Sequence, residues 1–124
     1  MLVYGPLAHG LLSGKYTANV VFPSDDWRSK TPMFQGDGLR RNLEVVHRLR
    51  AFAESRELRI GQLAIAWTLA NPAVDVAIAG ARRPDQIAQT APAAEIHLTP
   101  ADLEEIKQLM RDAVAAGGPS PEGM

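Results

Sequence analysis

Residues 74–87 read Val74-Asp75-Val76-Ala77-Ile78-Ala79-Gly80-Ala81-Arg82-Arg83-Pro84-Asp85-Gln86-Ile87, the order of a β-strand, a glycine corner, two arginines and a helix start. Free backbone N–H groups at a helix N-terminus attract phosphate, and nearby guanidinium groups strengthen that attraction. The stretch therefore predicts a site for a phosphorylated ligand.

A second strand and loop lie at the start of the sequence. Residues 1–4 read as a short strand, and a loop with three glycines follows as far as Lys15. If the two strands are parallel, both loops emerge at the carboxyl edge, where open α/β sheets and α/β barrels place their ligands. We expect one ligand to contact both loops.

Composition narrows the class of protein. The chain has 124 residues, of which 46% are hydrophobic, enough for one domain with a moderate core. Thirteen basic and fourteen acidic residues give a net charge of −1, so we expect neither a nucleic-acid nor a membrane partner. Without cysteine there are no disulfides and no thiol ligands. These features favour a cytoplasmic location.

Hydrophobic periodicity predicts the helices. Residues 16–38 show no helical or alternating pattern and read as a long loop, whereas apolar residues recur at helical spacing from Leu39 to Ala53. The run Gln62–Ala70 is apolar nearly all round and predicts a buried helix. Thr99, with a proline and an aspartate after it, predicts the start of a last helix. Residues 117–124 are expected to form a flexible tail.

The predicted element order poses a packing problem. Two strands and four helices in the order β, loop, α, α, β, α, α cannot form a self-sufficient parallel sheet, because such a sheet needs neighbours and cover on both faces. The strand edges would remain unpaired, which favours self-association. The pattern therefore predicts part of a larger α/β barrel.

The glycine loop after the first strand resembles the strand-seven motif of the aldo-keto reductases. It reads Tyr4-Gly5-Pro6-Leu7-Ala8-His9-Gly10-Leu11-Leu12-Ser13-Gly14-Lys15-Tyr16. Further segments resemble the C-terminal third of that family in register, namely Asp26-Trp27-Arg28, Pro32, Phe34, Asn42, Gln62-Leu63-Ala64-Ile65-Ala66-Trp67, Ile78-Ala79-Gly80-Ala81-Arg82 and Asp85-Gln86-Ile87. The most similar members are the bacterial and potassium-channel-beta-like ones.

The resemblance implies a fold and a domain assignment. The family fold is a (β/α)8 barrel, which typically needs roughly 250 residues. Residues 1–116 would be the C-terminal part of such a barrel, contributing about two parallel strands and four helices. The remaining strands would belong to other parts of the barrel.

The resemblance also implies an NADP(H) site on the first loop. Tyr4 matches the aromatic residue on which the family stacks the nicotinamide ring, and Arg28 matches an arginine that reaches the cofactor. The loop along the pyrophosphate corresponds to Pro6, Leu7, Gly10, Ser13 and Lys15. A triphosphate-binding P-loop is excluded, because only three residues separate Gly10 from Gly14 and a tyrosine follows the lysine.

The second loop matches the positions around the adenosine 2′-phosphate and the adenine ring. These positions are Gly80, Arg82, Gln86, Gln89 and Thr90. An arginine suits a dianionic phosphate through paired N–H bonds, so Arg82 favours NADP over NAD. Gln89 stands where the family usually has Glu, and Thr90 stands where it usually has Asn. We therefore expect altered adenine contacts.

No catalytic residue is predicted in this chain. The family's catalytic Asp, Tyr, Lys and His lie on earlier strands, and the three histidines, His9, His47 and His97, do not replace them. No group of residues has metal-ligand spacing. The resemblance thus predicts the C-terminal cofactor-binding segment of an NADP(H)-dependent reductase of small aldehydes or ketones, without turnover as this chain alone. The alternatives are a non-catalytic NADP-binding or assembly module that docks to another chain, and an inactive fragment.

Overall fold

The structure, a computed structural model, describes residues 1–114. The predicted order of strands and helices is confirmed within that range, whereas the predicted tail at 117–124 lies outside it. The strands and α-helices are β1 (Leu2–Tyr4), α1 (Gly36–Ser55), α2 (Ile60–Leu69), β2 (Val76–Ile78), α3 (Pro84–Thr90) and α4 (Pro100–Leu109). Short 3-10 helices occupy Ala8–Ser13, Trp27–Lys30, Pro32–Phe34 and Ala91–Glu95.

The two strands are parallel neighbours, as predicted. Leu2 pairs with Val76 and Tyr4 pairs with Ile78, so these four side chains share one face of the sheet. All four are exposed, and we call this surface the open sheet face. Nearby, Trp67 of α2 is 43% exposed although the sequence predicts a buried helix. An apolar surface of this kind is typical of a segment of a (β/α)8 barrel whose interior layer continues into further strands.

The core lies between the helices, on the other side of the molecule. Leu49 of α1, Leu63 of α2 and Ile106 of α4 are buried together with Met33 and other apolar side chains. Apolar residues at helical spacing give each of these helices one face that is removed from water. Most of the buried apolar side chains of this segment therefore lie in the helical core.

The segment predicted as a long loop is packed more tightly than expected. Phe34 is buried and contacts the rings of Tyr16 and Phe22 edge-on. Helix α1 also begins earlier than Leu39, at Gly36, so Gly38 lies in its first turn. A Cβ at Gly38 would overlap the carbonyl oxygen of Pro32, so glycine permits the close approach of backbone that starts the helix early.

Hydrogen bonds from polar side chains fasten α4 to α1. Asn42 is 2% exposed, and its side chain donates to the Met33 carbonyl (3.1 Å) and accepts from the Val114 N–H (2.8 Å). The predicted cap of α4 is confirmed, because the Thr99 hydroxyl accepts from the Asp102 N–H and the Asp102 carboxylate accepts from the Thr99 N–H. Asp102 also pairs with Arg56, the residue that directly follows α1.

Candidate cofactor site

The loops after β1 and β2 leave the sheet at the same edge. Because Tyr4 and Ile78 are paired in a parallel register, the chain continues from both strands in one direction. The first loop runs through Gly5 to Lys15, and the second runs from Ala79 to the start of α3 at Pro84. The prediction that the two glycine-bearing loops meet at the carboxyl edge is therefore confirmed.

The first loop has an unusual backbone. Ala8 and His9 both adopt positive φ angles, 47° and 58°, directly before Gly10 at 94°. Left-handed conformations are costly for residues with a Cβ, and two in succession persist only where the surroundings hold them. Hydrogen bonds across the loop supply part of that support: the Ser13 hydroxyl donates to the Gly10 carbonyl (2.5 Å), and the Leu12 N–H donates to the Leu7 carbonyl (3.0 Å).

Neighbouring side chains support the same loop from outside. Arg50 of α1 donates to the Gly14 carbonyl. The φ of Gly10 favours glycine, and a Cβ there would also lie only 2.9 Å from the Tyr16 hydroxyl, which would have to shift. Lys15 lies with its Nζ 5.2 Å from the Tyr16 ring centroid.

The start of α3 differs from the sequence-based expectation. The N–H groups of Arg82 and Arg83 are not free, because both donate to the side-chain oxygen of Gln86, at 2.6 and 3.1 Å. Arg83 in turn forms an ion pair with Asp85, which lowers the pKa of that carboxyl. The expected backbone phosphate site at this corner is therefore already filled by the chain's own amide.

A cleft with mainly polar walls lies between the first loop, α2 and α3. It brings together six of the predicted cofactor residues: Leu7, Ser13, Gly80, Gln86, Gln89 and Thr90. Arg59, Gly61 and Gln62, at the start of α2, complete its lining. We call it the amide cleft, because three glutamine side chains contribute to its walls and no acidic residue does.

Hydrogen bonds hold the walls of the amide cleft together. The side chain of Gln62 accepts from the Arg59 N–H (3.0 Å) and donates to the Gln89 carbonyl (2.8 Å). The Thr90 hydroxyl donates to the Gln86 carbonyl one turn earlier in α3 (3.0 Å). These bonds fix the start of α2 against the end of α3.

A second cleft, which we call the cationic cleft, contains the two arginines of the predicted site. Arg28 and Arg82 line it with His9, Pro23, Asp25, Asp26 and Trp27. Among the described residues, the Arg82 guanidinium forms no ion pair or hydrogen bond, so its charge is available to a ligand. The 3-10 helix Trp27–Lys30 and the second loop thus bring Arg28 and Arg82 to one cleft, although 54 positions separate them in the sequence.

Arg28 is held in place by several neighbours. Its Nε and one terminal nitrogen donate to the Asp26 carboxylate at 2.6 to 3.1 Å, and its other terminal nitrogen donates to the Tyr16 hydroxyl at 2.9 Å. The guanidinium also stacks on Phe22, 4.4 Å from the ring centroid. Arg28 lowers the pKa of Asp26 through these hydrogen bonds. Since a guanidinium has five N–H groups, one on each terminal nitrogen remains for a ligand.

His9 joins the first loop to the 3-10 helix at Trp27. The two rings meet edge to face, with centroids 4.6 Å apart. Partial burial lowers the pKa of His9, and the positive charge of Arg28 lowers it further, so the imidazole is neutral at pH 7. The sequence gives no signal for this contact, because His9 and Trp27 come together only when residues 16–35 fold back over the first loop.

Tyr4 and Pro6 lie apart from both clefts. Tyr4 is 48% exposed on the open sheet face, and Pro6 is buried at the base of the first loop. Both line a broad depression beside Trp67 and Asn71. The structure therefore does not bring Tyr4 into contact with the arginine pair, and a ligand touching both would extend across the carboxyl edge.

Residues 1–114 show neither a metal-binding cluster nor a membrane-spanning helix. No cluster of three or more His, Cys, Asp or Glu side chains could hold a metal ion. None of the helices in this range has the length and hydropathy needed to span a membrane.

Comparison with known proteins identifies the family. The model of the Aldo/keto reductase family matches residues 1–111. An aldo-keto reductase of Schizosaccharomyces pombe whose name includes NADP(+) is 31% identical over 123 residues, 99% of this chain and 36% of that protein. A putative voltage-gated potassium channel subunit beta of the same yeast is 34% identical over 113 residues, 87% of this chain and 33% of that protein.

A solved structure is similar over the same range. The glycerol dehydrogenase from Gluconobacter oxydans superimposes with a TM-score of 0.85 at 30% identity, covering 97% of this chain and 36% of that one. The chain thus spans about a third of the length of the relatives that it matches. The match of the family model over 1–111 confirms the resemblance seen in the strand-seven motif, and the chain belongs to the aldo/keto reductase family.

Proposed function

We propose that residues 1–116 are the C-terminal cofactor-binding segment of an NADP(H)-dependent aldo-keto reductase. In the whole enzyme, hydride would pass between nicotinamide C4 and the carbonyl carbon of a small aldehyde or ketone. The observation that carries the proposal is the convergence of the two predicted loops at one edge of a parallel pair. A cytoplasmic location is part of the proposal.

The residues present fit a dinucleotide phosphate chemically. Arg82 has an available guanidinium in the cationic cleft, and Arg28 keeps two N–H groups beside it. The first loop, from Pro6 to Lys15, would lie along the pyrophosphate. Tyr4, exposed at the end of β1, offers an aromatic face to the nicotinamide ring. In this proposal, the chain's own residues bind and orient the cofactor, and they transfer no proton.

The proposal assigns no catalytic residue to this chain. The cofactor would supply the hydride, and the family's acid–base residues are expected on strands outside this segment. His9, the histidine in the cationic cleft, is neutral and packed against Trp27. We therefore expect no reduction of aldehydes by this chain alone with NADPH, and a steady-state rate above the blank would contradict this part of the proposal.

Nucleotide titration tests the site. Trp27 lines the cationic cleft, so its fluorescence should be quenched as NADPH binds, with tighter binding of NADPH than of NADH. Arg82→Ala should weaken NADPH binding by roughly tenfold to a hundredfold, the range of a charged hydrogen-bond pair, and should leave NADH binding nearly unchanged. An unchanged NADPH affinity would show that Arg82 does not contact the 2′-phosphate.

One observation favours a second candidate function. The open sheet face presents Leu2, Tyr4, Val76 and Ile78 to solvent, as in a module that docks to another chain. Size-exclusion chromatography and a thermal melt test whether the chain needs a partner. A monomer that melts cooperatively would argue against the docking module. The inactive-fragment alternative predicts a chain that is readily proteolysed and shows no cooperative melt.

A further inference from the structure

Arg59 is a cationic residue of the amide cleft that sequence reasoning did not single out. It is exposed, and it precedes the first residue of α2. Within residues 1–114, its guanidinium has no ion pair and no hydrogen-bond partner, whereas its backbone N–H is bonded to Gln62. The guanidinium is thus free to contact a ligand, while a hydrogen bond to Gln62 holds the backbone of Arg59 in place.

The backbone of Arg59 is fixed relative to the opposite wall of the cleft. Gln62 accepts from the Arg59 N–H at 3.0 Å and donates to the Gln89 carbonyl at 2.8 Å. A single amide group therefore connects the start of α2 to the end of α3. The backbone of Arg59 is thus connected to the backbone of Gln89 through the side chain of Gln62.

The chemistry of the amide cleft differs from that of the cationic cleft. Its walls carry amides, hydroxyls and the apolar side chain of Leu7, and Arg59 is its one charged residue among those described. A dianionic phosphate is better served by the cationic cleft, because both Arg28 and Arg82 line it. The amide cleft suits a planar, uncharged group with donors and acceptors on its edge.

A purine base has these properties. Glutamine side chains can donate to and accept from the N6 and N7 edge of adenine, and guanidinium planes stack on aromatic faces. Gln86 already uses its side-chain oxygen on the Arg82 and Arg83 N–H groups, so only its NH₂ group is free for a base. Gln89 contributes only its backbone carbonyl to the bond with Gln62, which leaves its side-chain amide for the base edge.

We propose that Arg59 stacks on the adenine ring of the bound dinucleotide in the amide cleft, with the side chain of Gln89 at the edge of the base. The assignment rests on the proposed function and adds an affinity-determining residue to it. Because NADPH and NADH carry the same base, Arg59 contributes equally to both. Arg82, in contrast, discriminates between the two nucleotides.

The experiment measures the affinity of the full chain for NADPH and for NADH by isothermal titration calorimetry. Arg59→Ala should weaken both by a similar factor, roughly tenfold, in the range measured for stacking of a base on a side chain. Arg59→Lys should not restore either affinity, because an ammonium group has no plane to stack. Arg41→Ala serves as the matched control, since Arg41 is also exposed and lies on α1 away from the clefts.

Each alternative result has a distinct meaning. Loss of NADPH affinity alone, restored by Arg59→Lys, would overturn stacking in favour of a charge contact to the 2′-phosphate. Normal binding of both nucleotides by Arg59→Ala would overturn the assignment of Arg59 and leave the proposed function intact. A wild-type chain that binds neither nucleotide would overturn both proposals. Far-UV circular dichroism confirms that each variant retains its helices.

Discussion

The helical core and the open sheet face are two apolar surfaces of one small segment, and they differ in how completely they are removed from water. Ile106, between α4 and α1, is 2% exposed, whereas Ile78 on β2 is 50% exposed. Both residues carry the same side chain, so composition cannot account for the difference. The helices pack on several neighbours, whereas within residues 1–114 the two strands pair only with each other.

The comparison shows how stability and function are divided in this segment. Most of the stabilising contacts lie between α1, α2 and α4 and the segments packed on them. Within residues 1–114 the sheet, from which both loops of the candidate site leave, has two strands of three residues each. We expect the helical core to unfold as a unit and the sheet edge to open first, since few buried contacts hold it.

The largest expected effect is on the helical core. Ile106→Ala removes buried methyl and methylene groups and leaves a cavity, which should lower the free energy of unfolding by about 2–5 kcal/mol. Ile87→Ala is the matched control, because Ile87 also lies on a helix but is 58% exposed. Urea denaturation of both variants measures the difference, and equal losses would contradict the assignment of the core.

The cap of α4 should have a smaller effect. Thr99→Ala removes the hydroxyl that accepts from the Asp102 N–H, and the loss should be about 1 kcal/mol. Thr99→Ser keeps the acceptor and should retain most of the stability. If thermal melts show Thr99→Ser to be as unstable as Thr99→Ala, the contribution lies in packing of the methyl group and not in the cap.

Asp102 should make stability depend on acid pH. The Thr99 N–H and, after it, Arg56 hold the pKa of this carboxyl below its ordinary value of 3.8. A lowered folded-state pKa means that the stabilising contribution is present above that ordinary value and is lost as the pH falls through the folded pKa. Asp102→Asn should therefore be less stable at pH 7, and the difference from wild type should shrink as the pH falls below about 4. Melting temperatures across this range test the sign, and a gap that widens in acid would contradict it.

The open sheet face should respond least to substitution. Ile78→Thr keeps a β-branched residue in the strand and removes little buried surface, so the free energy of unfolding should change by less than about 0.5 kcal/mol. If the face docks to a second copy, the same change should reduce self-association measured by sedimentation velocity. A loss of stability as large as that of Ile106→Ala would show that Ile78 is buried in the protein in solution.

Local signals in the sequence predicted the elements well. The cap at Thr99, the proline at the start of α3 and the apolar spacing of α1 all depend on residues within one or two turns of each other. Helix α1 started earlier than predicted, because the fit of Gly38 against Pro32 is a steric contact that no periodicity reveals. Local patterns thus locate elements better than they locate helix ends.

The candidate site was predictable only in part. The two glycine-bearing loops were predicted to emerge at one edge from parallel strands, and the pairing of β1 with β2 confirms that prediction. The division into two clefts was not predictable, because it depends on Gln62 reaching Gln89 across 27 positions and on residues 16–35 folding over His9. Arg59 and Trp27 enter the site through these long-range contacts alone.

The amide oxygen of Gln86 acts as an internal competitor at the corner before α3. It accepts hydrogen bonds from the N–H groups of Arg82 and Arg83, so an anion that binds these donors must first displace it. These hydrogen bonds hold the corner in its bent conformation. An anion would bind there less tightly than to N–H groups without a partner, because the bonds to Gln86 must first break. Gln86 therefore stabilises the turn in advance, and it lowers the affinity of the turn for an anion.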